Sequence, residues 1–186
     1  MRSPHGFVAS PSDGKLYKNM RKAGNTEFAI STSMEDAKTV NREALISAVP
    51  SRYTGPIKDG ATAIVHHNVF RKFYASNGGK ETFSTDMFDE NTYLIAPNAI
   101  YAYKNSNNDP WKTVNKWCFV RPTGEMLHGE IVISNEMLEK NGVIEGDEVI
   151  FIPDSEYEFT IDEEVLYRIN SEDICLVKKR QQGTFE

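Results

Sequence analysis

Glu130 to Lys178 reads EIVISNEM, GVIEGDEVIFI, a turn at Pro153-Asp154-Ser155, and then IDEEVLYRINSEDICLVK. This stretch decides the fold, because an earlier part of the chain follows the same order. Glu43 to Lys104 runs EALISAVP, PIKDGATAIVHHNVF, a turn, and FDENTYLIAPNAIYAYK. In each copy a short apolar strand is followed by a glycine beside an acidic residue, Asp59-Gly60 and Gly146-Asp147. A second strand, a turn, an acidic corner and an apolar strand pair come next. Self-similarity at this period marks a repeated structural unit. It points to a scaffold and shows no reaction centre.

Working outward, the chain alternates short β-rich runs with turn chemistry. Strands are expected at Glu27 to Thr32, Ala44 to Val49, within Ala61 to Tyr74, at Glu81 to Thr85, Thr92 to Ala96 and Ile100 to Tyr103. Pro50 stops one strand, because proline cannot donate to a ladder. Asn77-Gly78-Gly79 is a hairpin signal, with no following helix that would make it a phosphate cradle. In the second copy strands are expected at Lys116 to Val120, Glu130 to Ser134, Glu148 to Ile152, Tyr157 to Ile161, Val165 to Ile169 and Ile174 to Lys178. Met34 to Ala37 and Glu136 to Lys140 read as single helical turns, the latter closed by Asn141-Gly142. Many short strands with almost no helix imply a small barrel or sandwich. The expected division is an N-terminal arm over 1–25 that orders on a partner, a first barrel over 26–104, a linker over 105–115 centred on NSNNDP, a second barrel over 116–180, and a tail over 181–186. Each barrel is near the lower size limit for independent stability.

Composition bounds the partners. A formal net charge of −6 argues against a protein that binds nucleic acid by neutralising phosphates. No apolar run approaches the ~20 residues that span a bilayer as a helix. The N-terminus lacks the apolar segment of a secretory signal, so a cytoplasmic protein is expected. Cys118 and Cys175 each sit in an apolar run and read as buried free thiols.

Candidate chemistry is sparse. His66-His67 falls on an expected strand, where adjacent side chains point to opposite faces and do not share a metal. The acidic corners Asp89-Glu90 and Asp162-Glu163-Glu164 read as solvated turns and not as an acid/base pair. No nucleophile-base signature is present, and neither an enzyme nor a cofactor or metal site is expected. Aromatics crowd the first copy (Phe70, Phe73, Tyr74, Phe83, Phe88, Tyr93, Tyr101 and Tyr103) and read mostly as core. Those on outer faces would suit subunit interfaces.

Gly146-Asp147-Glu148-Val149-Ile150-Phe151, the corner before Val165-Leu166, and Ser171-Glu172-Asp173-Ile174-Cys175-Leu176 together resemble the C-terminal half of the GroES-like co-chaperonins. Lys116 to Pro122 (KWCFVRP) sits where that family's first strand would be. The first copy is similar in order, with Asp59-Gly60 inverted. The resemblance implies an all-β fold of two tandem GroES-like β-barrels. It also implies a homo-oligomeric ring that caps a chaperonin and assists protein folding. In such rings the first strand of one barrel pairs with the last strand of its neighbour, which satisfies every edge. That places Phe28, Ile30, Trp117 and Phe119 on first strands, and Ile100, Tyr101, Ile174 and Leu176 on last strands, at the subunit interface.

The resemblance departs at the mobile loop through which the family grips its chaperonin, between first and second strands. The corresponding intervals, Ser33 to Asn41 and Thr123 to His128, are short and lack Gly-Gly; Met126-Leu127 supplies the one apolar pair. Phe7-Val8 in the N-terminal arm is the other apolar pair available for that contact. A shell or assembly protein, viral in character, that reuses the barrel without binding a chaperonin is the alternative reading.

Overall fold

The computed structural model describes residues 2–18, 20–23, 26–29, 39–74, 81–82 and 84–180. The chain divides into two compact units, Met1–Pro110 and Trp111–Glu186. Both are mostly β, with antiparallel sheets and one α-helix among the described residues.

The first unit carries β1 (Phe7–Pro11), β2 (Met20–Ala23), β3 (Thr26–Ala29), β4 (Glu43–Ala48), β5 (Thr62–Val65), β6 (Phe73–Tyr74), β7 (Glu81–Thr82), β8 (Met87–Asp89), β9 (Thr92–Ile95) and β10 (Ile100–Lys104). Its main sheet runs β8-β9-β1-β4-β5-β10, while β2 pairs with β3 and β6 with β7 in separate ribbons. The second unit carries β11 (Lys112–Thr113), β12 (Trp117–Pro122), β13 (His128–Ile133), α1 (Glu136–Lys140), β14 (Glu148–Phe151), β15 (Tyr157–Ile161), β16 (Glu164–Asn170) and β17 (Ile174–Lys178). Its sheet runs β15-β16-β12-β13-β14-β17.

The two orders correspond strand for strand, and so do their hydrogen bonds. Gly60 N donates to Ile46 O at 2.7 Å, and Gly146 N to Ile131 O at 2.8 Å. Ile46 N donates to Ala61 O at 2.8 Å, and Ile131 N to Asp147 O at 2.9 Å. The two glycines hold φ of +88° and +89°, a conformation that an L side chain resists. The glycine therefore keeps its place in both copies, and the acid moves from before it (Asp59) to after it (Asp147). The first strand bulges at the same point, between Val8 and Ala9 and between Phe119 and Val120. A single 3₁₀ turn precedes the last strand each time, at Pro97–Ala99 and Ser171–Asp173.

Several expectations need correction. The ladder in each unit has two ends, so the units are open sheets and not hydrogen-bonded closed barrels. Phe7–Pro11, read as part of a partner-ordered arm, lies mid-sheet between β4 and β9, with Phe7 only 1% exposed. A five-residue run that ends on Pro11 carries too little alternation to stand out from its polar flanks. Phe7 also packs edge-on against Tyr53, 4.9 Å between ring centres, so Phe7-Val8 is not a free docking pair. The run from Ala61 to Tyr74 breaks after Val65, where His66 Nδ1 accepts from Asn68 N at 3.1 Å and starts a 3₁₀ turn.

Residues of the expected linker are held by their own units. Asn105 accepts from Lys58 N at 3.0 Å and donates to Pro56 O at 3.1 Å. Trp111 Nε1 donates to Asp162 Oδ2, and Thr113 Oγ1 to Ser134 O, both at 2.7 Å. Ile30, the turn expected at Met34 to Ala37, the Asn77-Gly78-Gly79 corner, Phe83 and the tail 181–186 lie outside the described residues.

The helix forms where its punctuation sits. Asn135 Oδ1 accepts from Leu138 N at 2.9 Å as N-cap. Gly142 (φ +74°) ends it, with Val143 N donating to Leu138 O and Gly142 N to Glu139 O, both at 2.9 Å. Leu138 and Val143 then face the second unit's core, against Cys118, Val120, Ile131 and Val149.

Candidate functional site

The residues named for the subunit interface separate sharply. β12 is hydrogen-bonded to β13 on one side and β16 on the other, so it offers no edge. Phe119 is fully buried and meets Phe159 edge-on at 5.7 Å, while the Arg168 guanidinium lies 4.2 Å over the Trp117 ring. Phe28 stands on β3 opposite Arg21 of β2, away from the main sheet. Ile100 and Tyr101, on β10, are buried. Of the expected first strands, β12 therefore has both neighbours within its own unit, as β1 does, while β3 pairs with β2 alone.

The last strand of the second unit differs. β17 pairs with β14 alone and ends the sheet order. Ile174 packs against the core, whereas Leu176 is 63% and Val177 38% exposed. Cys175 is exposed too, against the expectation of a buried thiol. An edge strand with outward apolar side chains is a ready template for another chain. Lys178 Nζ reaches Glu148 Oε2 at 3.1 Å, and Lys179 Nζ reaches Asp147 Oδ2 at 2.8 Å, so the basic end of the strand is fastened to β14 and its lead-in.

The second candidate surface comes from the insertion between β1 and β4. Because β1 is the unit's first strand, this interval is residues 12–42 and not Ser33 to Asn41. It begins with a stem. Lys18 N donates to Thr39 O at 2.7 Å, and Tyr17 bridges to Val40. Fully buried Asn41 donates to Asp13 Oδ1 at 2.8 Å and to Lys15 O at 2.9 Å, and accepts from Glu43 N at 3.0 Å. Beyond the stem lies the β2–β3 ribbon, carrying Arg21 and Lys22. The matching connection in the second unit is the tight turn Thr123–Leu127, with Gly124 at φ +91° and Leu127 at φ +63°. There Met126 is 87% exposed, while Leu127 packs on the core. Of the two residues offered for chaperonin contact, Met126 is exposed and Leu127 is partly buried.

A groove of about 520 Å³ opens on the first unit beside β8, where Val8, Leu94 and the 66%-exposed Phe88 meet Arg2 and Asp89.

The remaining groups resolve as follows. His66 and His67 stack face to face, 4.2 Å between ring centres, because the strand ends before them. The corner Asp162-Glu163 holds two positive φ values, +48° and +68°, which make it a two-residue hairpin turn. Burial pushes the Cys118 thiol up to about 12. His128 Nδ1 lies 3.1 Å from Glu148 Oε1 and 3.4 Å from Glu125 Oε2, a grouping hidden in the sequence because Glu148 reaches it only through the β13–β14 pairing. The His128 ring and then the Lys178 ammonium hold the Glu148 carboxyl below its ordinary value.

Comparison with protein-family models, with curated proteins and with solved structures returns no match.

Proposed function

We propose that this chain is a divergent, tandem GroES-like co-chaperonin: a non-enzymatic protein that assembles into a ring and caps a chaperonin. The observation that carries this reading is one sheet order repeated in both units, with a long insertion placed between the first and second strands of the first unit. That interval is where the family carries its chaperonin-binding loop, and only one copy retains it at length. The stem closed by Asn41 fixes where the insertion leaves the sheet. The exposed β17 edge, with Leu176 and Val177 turned outward, supports assembly through the last strand. The partner for that edge is not β1 or β12, which are already paired on both sides.

The test is co-elution. The purified protein is mixed with a chaperonin and ATP, ADP or no nucleotide, and run by gel filtration. A complex is expected in at least one nucleotide state. It should vanish when residues 19–38 are replaced by a short Gly-Ser linker that leaves the stem intact, with circular dichroism unchanged. Failure of the intact chain to co-elute in every nucleotide state refutes capping and leaves the shell or assembly reading.

A further inference from the structure

We propose that Glu125, His128 and Glu148 of the second unit form a binding site for a borderline divalent cation of the zinc class. One donor atom from each lies within 4.8 Å of the other two, and they come from two places in the fold. Glu125 and His128 flank the turn into β13, and Glu148 opens β14, whose Ile150 pairs with His128. A zinc ion binds imidazole and carboxylate at about 2.0–2.2 Å, so tetrahedral ligands sit roughly 3.4 Å apart. Here the Nδ1 to Oε separations are 3.1 Å and 3.4 Å. An ion replacing the ring proton is therefore accommodated with little movement beyond closure of the two carboxylates toward each other.

The surroundings favour a small exposed site with one open position. The His128 side chain is 24% exposed and Glu148 30%, while Glu125 is 75% exposed and gives access from solvent. Lys178 Nζ holds the second Glu148 oxygen at 3.1 Å, which leaves Oε1 directed at the imidazole. Partners of this kind orient a metal-binding carboxylate. One imidazole with two carboxylates suits zinc, cobalt or nickel better than magnesium or calcium, which prefer all-oxygen shells. Bound there, the ion would staple the Thr123–Leu127 turn to β14 and, through Glu148 and Lys178, support the register of the β17 edge.

The competing arrangement is His128 hydrogen-bonded to the two carboxylates with no metal, and the two differ in what they bind. The full chain is titrated at pH 7.5 with zinc chloride by calorimetry and with cobalt chloride by visible absorption. Stoichiometric zinc binding is expected, together with the intense d–d bands of four-coordinate cobalt. Glu125→Gln, on an exposed turn where folding is not at stake, should weaken zinc binding on the order of tenfold or more, and His128→Ala should abolish the site. Absence of binding overturns the proposal. So does binding that persists unchanged in both variants, since that would place the ion elsewhere, for instance at His66 and His67.

Discussion

Asp147 is the side chain on which the second unit most visibly depends, and replacing it with alanine tests the role of the Gly-Asp pair. The residue is 2% exposed, yet its carboxylate has three donors: Ile144 N at 3.0 Å, Lys179 Nζ at 2.8 Å and Arg180 N at 3.0 Å. It closes the loop before β14 and fastens the end of β17. Lys179 also donates to Gly142 O. Alanine leaves two partly buried amides without acceptors, at about 1–3 kcal/mol each, with water recovering part of that. The lysine is 57% exposed, so its ion pair adds no more than about 1 kcal/mol. The expected loss is about 2–4 kcal/mol.

Both tryptophans, Trp111 and Trp117, belong to the second unit, so indole fluorescence in urea reports that unit alone. With a slope of ~1 kcal/mol/M for so small a unit, the midpoint should fall by roughly 2 M or more. Lys179→Ala should cost under about 1 kcal/mol. Burial by itself would raise the Asp147 pKa, but the Lys179 ammonium and the Arg180 and Ile144 amides together hold it below the ordinary carboxylate value. A depressed folded pKa gives stability that is present above about pH 4 and lost as pH falls through the lower folded value. The gap between the intact protein and Asp147→Asn should therefore narrow in acid. A loss below 1 kcal/mol for Asp147→Ala, or equal losses for Asp147→Ala and Lys179→Ala, refutes the amide-acceptor account.

Phe119→Ala should cost about 3–5 kcal/mol in the same fluorescence assay, because the ring is fully buried. Leu176→Glu should change stability by less than about 0.5 kcal/mol, since the side chain is 63% exposed on an edge strand, and the assembly proposed through β17 requires that it lower the particle mass measured by light scattering. A thiol reagent at pH 8 should modify Cys175 in the folded protein and Cys118 only after unfolding, because burial holds the Cys118 thiol at about 12.

The sequence exposed those elements whose patterning is local. The strands at β4, β9, β10 and β13 to β17 are short apolar runs between turn residues, and each ends within a few positions of its expected bound. The α1 helix was legible from Asn141-Gly142, which closes it, while the Asn135 cap at its start was not singled out. β1 was not. Its neighbours in the sheet, β4 and β9, lie far along the chain, and its alternation is too brief to separate from an irregular arm. Missing it moved the first strand to Glu27 to Thr32 and so hid the insertion. The mid-sheet place of Phe119 and Trp117 was hidden for the same reason: an apolar run reads alike on an edge and in the middle of a sheet. Glu148 and His128 meet only through strand register.

The matched sheet order rests on backbone pairing, so the two units can differ widely in sequence while keeping the same ladder. The matched bonds at Ile46 and Ile131 are made by backbone groups, which constrain side chains only at the positive-φ glycines. The first unit therefore tolerates exchange of Gly-Asp for Asp-Gly. It also accommodates long connections between strands of its main sheet, residues 12–42 and 66–86. Where Asp147 is buried with three donors, Asp59 is partly exposed and accepts from Val49 N at 2.8 Å and from Arg2. The same corner thus has a weaker acid clasp in the copy that carries the long insertion. On this reading the second unit has the more tightly clasped corner. Asp59→Ala should then cost clearly less than Asp147→Ala. Equal costs would mean that both corners bear the same load and that the asymmetry lies only in the loops.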